Sequence, residues 1–347
     1  MGVISNTILS YEEGKANYDA VQKELLANHQ ILAHIVKRFV REFEHVPLRE
    51  IETQCIEPES VKVSKVFVEK NLTNLTEEQE ERLQSGGDLQ LDGDLQADVG
   101  LQPEMIEGVG TEDSSVNEGR ITYDILFRIR YPDESGRQMG MYINVEAQNA
   151  YYPGYPIEMR ALYYAARKFG SQLRSIRKGT DYGKLEKVYS IWLCMGNIPK
   201  QEANTARLYR YEKNDIIGAV KRDRKVYDLI NVVIVRINDL EPSEDGTLGL
   251  LQSLCSNRLK REEKLKKLKK YGLRTEGPLE GGVDRMCNLS ELVERRGVEQ
   301  GIEQGKLEKA QSIAISMLRD GMPYEQVAKY AGVSVDTLMQ WERETLR

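Results

Sequence analysis

A mixed α/β fold with an α-helical C-terminal extension is predicted by three features of this chain. Two strand-like stretches, Arg120 to Tyr131 and Met139 to Asn149, are joined by the turn Pro132-Asp133-Glu134-Ser135-Gly136 and lead directly into a helical pattern. Two continuous apolar runs, Val188 to Met195 and Asn231 to Ile237, suit strands buried on both faces. From Leu248 onward helix-forming residues dominate. With 347 residues, 40% of them hydrophobic, the chain can supply the core of one large domain or two smaller ones.

In chain order, Tyr11 to Phe43 reads as a helix, with Val21, Leu25, Leu32, Ile35, Val36, Phe39 and Val40 recurring mostly at three- and four-residue spacings. His29, His34 and His45 all fall in this region, so no histidine neighbours a later serine or cysteine in sequence and nothing recommends a nucleophilic triad. Val61 to Val68 alternates as a strand does. Between Glu77 and Gly110, Asp88-Leu89-Gln90 recurs as Asp94-Leu95-Gln96 among glycines and acids, a low-complexity composition that favours a disordered or flexible insertion. Asp92-Gly93-Asp94 lacks the full calcium-loop pattern.

Charge is unevenly distributed. Residues Glu77 to Glu118 hold thirteen acids against one base, Arg82, a net charge of −12 in a chain of net charge −6, so the remainder carries +6. That body can bind phosphates. Cys55, Cys194, Cys255 and Cys287 are widely spaced and form no Cys-x-x-Cys pair, which points away from a disulfide framework or a zinc ribbon. No apolar run approaches the roughly 20 residues that cross a bilayer, and the first residues lack a secretory pattern. A cytoplasmic location without membrane partners is expected.

The two central stretches carry the chemistry. In the second, alternation places Met141, Ile143, Val145 and Ala147 on one face and Tyr142, Asn144, Glu146 and Gln148 on the other. In the first, Asp124 is the only acid in an apolar and basic run. Antiparallel pairing across the short turn can bring Asp124 within reach of Glu146, and two converging carboxylates can hold a hard divalent cation. A solvent-facing polar strand is the plain alternative.

The following helix, from about Ile157 to Arg177, offers two stripes. Met159, Leu162, Tyr163, Ala166, Gly170 and Leu173 read as its packing face, and Arg160, Tyr164, Arg167, Ser171 and Arg174 as a basic face able to hold phosphates. Further on, Lys260 to Lys270 is strongly charged and reads as a solvated helix. Gly297, Gly301 and Gly305 recur every fourth residue, a spacing that permits close helix contact in a homo-oligomer. The end divides into Leu307 to Leu318, Pro323 to Tyr330 and Val335 onward, with Pro323 expected at a first helical position and Ser334 as a cap. This arrangement resembles a helix-turn-helix, but Asp336, Glu342 and Glu344 against Arg343 and Arg347 favour packing or oligomerisation over DNA reading.

The ordered set Ile121-Thr122-Tyr123-Asp124-Ile125, Ile143-Asn144-Val145-Glu146-Ala147-Gln148 and Gly154-Tyr155-Pro156-Ile157-Glu158-Met159-Arg160-Ala161-Leu162-Tyr163-Tyr164-Ala165-Ala166-Arg167 resembles the Rpn recombination-promoting nucleases. These are also described as YhgA-like transposases, within the PD-(D/E)XK nuclease superfamily. The resemblance is densest from Glu112 to Leu173. It implies a restriction-endonuclease-like mixed sheet flanked by helices, with Asp124 and Glu146 as metal-binding acids and the Ala147 carbonyl as a backbone ligand. It also implies that a first core helix can carry an accessory acid, for which Glu24 and Glu42 are candidates. Gln148 falls where the superfamily places its lysine, and an amide can orient water or a phosphate oxygen but supplies neither charge nor basicity.

The expected organisation is therefore 1–76 for the N-terminal helix and strand of a nuclease core, 77–118 for the acidic insertion, 119–245 for the core with its site, and 246–347 for the helical extension. The expected function is a Mg²⁺-dependent (or Mn²⁺-dependent) DNA endonuclease. Its catalytic residues would be Asp124, Glu146 and Gln148, with Arg160, Tyr164 and Arg167 on the phosphates. The alternative is a DNA-binding or interaction protein that retains the fold with weak or absent turnover.

Overall fold

The computed structural model describes residues 2–64, 112–115, 119–132, 136–149, 151–175, 181–238 and 241–345. Residues 65–68 of the expected strand and 77–111 of the expected insertion lie outside these. The chain divides into two compact units, Gln22–Val283 and the pair of segments Met1–Val21 and Asp284–Arg347.

The larger unit is built on a six-stranded mixed sheet. Its strands are β1 (Lys62–Val63), β4 (Ile125–Pro132), β5 (Gln138–Gln148), β6 (Lys187–Cys194), β7 (Thr205–Arg210) and β8 (Ile230–Arg236), in the order β1-β4-β5-β6-β8-β7. Strands β4 and β5 form the expected antiparallel hairpin, β5, β6 and β8 run parallel, and β7 closes the edge antiparallel to β8. The parallel centre explains why β6 and β8 read as unbroken apolar runs, since both of their faces are covered. Strand β7 is less legible. Its sequence Thr-Ala-Arg-Leu-Tyr-Arg is largely exposed, as suits an edge, and its polarity disguised it as connecting chain.

The expected strand from Arg120 to Tyr131 is two strands. β3 (Gly119–Thr122) pairs with β2 (Glu112–Ser115) in a separate ribbon, and the main sheet resumes only at Ile125. The N-terminal helix also breaks, into α1 (Gly2–Leu26) and α2 (His29–Phe39). At the break Asn28 caps α2 by accepting from Gln30 N–H (3.0 Å), a start signal overlooked within the apolar periodicity.

Helix α3 (Ile157–Ser175) lies on one face of the sheet. Its Ile157, Ala161, Tyr164 and Ala165 pack with Val188, Trp192, Val232 and Ile234 in one core. This corrects the expected orientation: the 3.6-residue period is right and the phase is inverted. Met159 is 68% exposed and Leu162 and Tyr163 are half exposed, whereas Tyr164 and Arg167 are buried. The sheet supplies the reason, because Trp192 and Tyr123 leave an aromatic slot that a tyrosine fills with edge-to-face contacts at 5.3 and 5.7 Å. Further along, α4 (Gly246–Cys255) and α5 (Arg261–Lys270) pack together. Lys264, from the charged run expected to be solvated, is buried with its Nζ donating to the Leu254 and Ser256 carbonyls at 2.8 Å, satisfying the end of α4.

Helix α6 (Pro278–Arg319), whose residues from Asp284 onward belong to the smaller unit, passes through Gly297, Gly301 and Gly305 without interruption. Its last turns form a small core with α7 (Tyr324–Ala331) and α8 (Val335–Thr345) around Ala314, Val327, Leu338 and Trp341. Ser334 Oγ accepts from Thr337 N–H (3.1 Å), the expected cap. Pro323 occupies the cap position of α7, one place earlier than expected, and Gly332 ends that helix at φ 68°. Among the described residues no helix is long and apolar enough to cross a membrane.

Candidate active site at the break between β3 and β4

Asp124 stands where the chain leaves the ribbon and has yet to enter the sheet. Its N–H, free of any ladder, donates to Glu146 Oε1 (3.3 Å). Conversely, the β4–β5 ladder ends at Ile125↔Val145, and Ala147 N–H, two residues beyond, donates to Asp124 Oδ2 (2.9 Å). Glu146 thus bonds the backbone of Asp124, Asp124 bonds that of Ala147 next to Glu146, and both acids are buried. The Gln148 carbonyl accepts from Met195 N–H on the β6 side (2.9 Å), so strand alternation turns the Ala147 carbonyl the opposite way, toward Asp124. Asp124 and Glu146 thus meet at the end of the β4–β5 ladder.

The polar face of β5 does not face water. Asn144 is fully buried, and its amide donates to Glu146 Oε1 (3.1 Å) and Ser190 Oγ (3.0 Å), while Trp192 Nε1–H donates to the same Ser190 Oγ (2.8 Å). A polar thread therefore runs from the acid under α3. Gln148 is buried too, so reaching substrate with its amide would require the cover above it to part.

Burial and the neighbouring charge of Asp124 push Glu146 well above the usual carboxylate range. The Asn144 amide, the Arg160 charge and the Asp124 N–H oppose this only in part. Asp124 has a cation of its own: Lys23, near the end of α1, places Nζ 2.8 Å from Asp124 Oδ1, with both side chains buried. Lys23 was missed. In sequence it is one lysine beside the apolar residues Val21 and Leu25, and only the approach of α1 to the β3–β4 break gives it meaning.

Arg160, on α3, is held by tyrosines. Its Nη2 donates to Tyr164 OH (2.8 Å) and Nη1 to Tyr155 OH (3.2 Å), and its guanidinium lies 5.0 and 5.4 Å from the ring centres of Tyr164 and Trp192. Tyr164, buried, spends its hydroxyl on positioning Arg160. Arg167 is also buried, its Nη1 donating to Tyr163 OH (3.2 Å), and does not present an open phosphate contact. Comparisons of the chain with protein-family models, with curated proteins and with solved structures find no match.

Glu42 belongs elsewhere. It accepts from Lys187 Nζ (2.5 Å) and Tyr189 OH (3.0 Å), residues that pair with Met141 and Ile143 on β5. Those levels are three to five residues before Glu146, about 10–16 Å along the strand, and alternation puts their side chains on the opposite face. Glu24, the other candidate, is exposed.

Among the described residues no group of three or more His, Cys, Asp and Glu side chains could hold a metal ion. The donor set Asp124, Glu146 and the Ala147 carbonyl is nevertheless of the type that suits Mg²⁺, which takes one or two carboxylates and keeps several waters. The desolvated charge of Glu146 gives such an ion a reason to bind.

Proposed function

We propose that the chain is a metal-dependent nuclease that hydrolyses phosphodiester bonds of DNA, as the resemblance to recombination-promoting nucleases implies. The observation that carries this reading is the meeting of Asp124 and Glu146, distant in sequence, with Glu146 bonded to the backbone of Asp124 and Asp124 to that of Ala147 next to Glu146. Asp124, Glu146 and the Ala147 carbonyl would hold Mg²⁺ or Mn²⁺, which supplies charge neutralisation of the phosphate and acidification of water. Glu146, buried beside Asp124 and held above the usual carboxylate range without a cation, would be kept ionised by the ion it helps to hold. Lys23 brings positive charge to Asp124 from α1, partly answering the absence of a lysine at position 148. Arg160, fixed by two tyrosine hydroxyls, is the group best arranged to bear charge developing on phosphate oxygens.

The test is nicking of supercoiled plasmid with Mg²⁺ or Mn²⁺, with EDTA as control. Cutting by wild type and none by Glu146→Ala or Asp124→Asn is expected; equal activity from wild type and Glu146→Ala would refute the assignment. A second reading, nucleic-acid binding without cleavage, draws on the Lys23–Asp124 ion pair, since the ammonium already gives Asp124 a counter-charge. Duplex binding in EDTA, no cutting with any divalent ion and a Tm unmoved by Mg²⁺ would select it.

A further inference from the structure

On the same face of the sheet as Glu146, a pocket of about 410 Å³ opens between the start of α3, strand β7 and the end of β8. Its placement follows from register. Gln148 pairs with Cys194 and Cys194 with Arg236, so Arg236 stands about 10 Å across the sheet from Gln148 and two residues past the level of Glu146. The volume is that of a small-molecule site.

Three tyrosines line it, of which Tyr152 is 62% and Tyr209 42% exposed. Aromatic faces left open beside a pocket gain nothing for the fold; they offer a stacking surface. Its polar groups are of both kinds. Glu202 accepts from Tyr151 OH (2.6 Å) and from Arg207 Nη1 (3.2 Å), and these partners hold its carboxyl below the usual carboxylate range. Arg236, only 6% exposed, donates Nη2 to Glu158 Oε1 (2.8 Å) and places Nε 3.1 Å from Glu202 Oε2, yet its buried Nη1 has no hydrogen-bond partner. Arg236 thus supplies positive charge beneath the pocket, and the open polar groups are those of Glu202 and Arg207.

We propose that this pocket takes an unpaired nucleobase of the strand being cut, stacked on Tyr152 and Tyr209 with its edge against Glu202 and Arg207. The identity of the ligand rests on the nuclease reading; the pocket does not. Stacking on tyrosine beside arginine is the usual physical basis for gripping a single strand. Among the four bases guanine fits best. Its Watson–Crick edge offers two adjacent donors to one carboxylate, and its O6 and N7 accept from a guanidinium. The substrate it implies has at least one base out of the helix: single-stranded, branched or flipped DNA.

The experiment is titration of the full chain in EDTA with dGMP, dAMP, dCMP and dTMP, followed by calorimetry. Wild type, Tyr209→Ala and Glu202→Gln are compared, each checked for an unchanged circular dichroism spectrum. Saturable binding with dGMP tightest, weakened at least about tenfold by either substitution, is expected. Failure of all four to bind at millimolar concentration, or equal binding by all three proteins, would overturn the pocket. Because no cleavage is involved, dGMP binding that the substitutions remove, found together with no cutting under any divalent ion, would uphold the pocket and overturn the nuclease reading.

Discussion

Two buried clusters in the larger unit contain the same parts, two carboxylates and one lysine, and differ in how the lysine is shared. On one face of the sheet Lys187 reaches both Glu42 (2.5 Å) and Asp228 (3.4 Å), and the Tyr189 hydroxyl adds a donor to Glu42. On the other, Lys23 bonds Asp124, while Glu146 takes its hydrogen bonds from neutral groups, the Asn144 amide and the Asp124 N–H. In the first cluster a shared lysine answers both acids and Arg224 stands 3.9 Å from Asp228, although Asp228 Oδ1 has no hydrogen-bond partner. The second leaves a carboxylate that burial drives toward its protonated form, an energetic deficit that a cation or a proton in transit can relieve.

The sharpest division should come from Lys187→Met. Removing the shared cation leaves two acids facing each other, and urea denaturation should show a loss of about 3–5 kcal/mol with cleavage intact wherever the variant remains folded. Glu146→Gln should behave in the opposite sense: nicking falls by about 10²–10³-fold or more, while Tm holds or rises. Because the folded-state pKa of Glu146 is raised, its charge costs nothing in acid, where it is protonated folded or unfolded; the destabilisation builds as pH rises from the ordinary carboxylate range through the folded-state pKa and is constant above it. The stability difference between Glu146→Gln and wild type should therefore vanish in acid and grow toward neutral pH. A constant difference across pH would break the contrast between the two clusters.

Lys23→Met should lose a few kcal/mol in EDTA, and Mg²⁺ should return about 2–3 kcal/mol of it at a hundredfold excess over its Kd. Mg²⁺ should leave Lys187→Met unchanged relative to wild type, and calorimetric scans with and without the ion compare the two. Tyr164→Phe, which removes one hydroxyl from Arg160, should slow nicking about 3- to 10-fold through a single hydrogen bond, with Arg160→Lys slower still because a lysine cannot hold both tyrosines. The smallest effect belongs to Met159→Lys on the open side of α3, within about 0.5 kcal/mol of wild type.

How much of this was legible depended on what each residue answers to. Strands β5, β6 and β8 declared themselves because period and apolarity are local properties of the chain. The pairing of Asp124 with Glu146 was readable because a short turn fixes the register of an antiparallel pair. The phase of α3 was not. Both of its stripes are mixed, and the choice between them was made by Tyr123 and Trp192, supplied by other strands. Lys23 and Glu42 were illegible for a related reason: each is one charged residue on or beside a helix, and only long-range packing sends the first to Asp124 and the second to Lys187.

The anchoring of Asp124 has one more consequence. Its carbonyl accepts from Ser64 N–H (2.9 Å), and Thr122, two residues before it, is the ladder partner of Glu112. The chain thus departs toward residue 65 and comes back after residue 111 at the same hinge of backbone. A cut or a graft anywhere in that span leaves both stumps stitched to their neighbours by main-chain bonds. A pull on Ser64 acts directly on the aspartate, and a pull on Glu112 acts on Thr122, two residues before it.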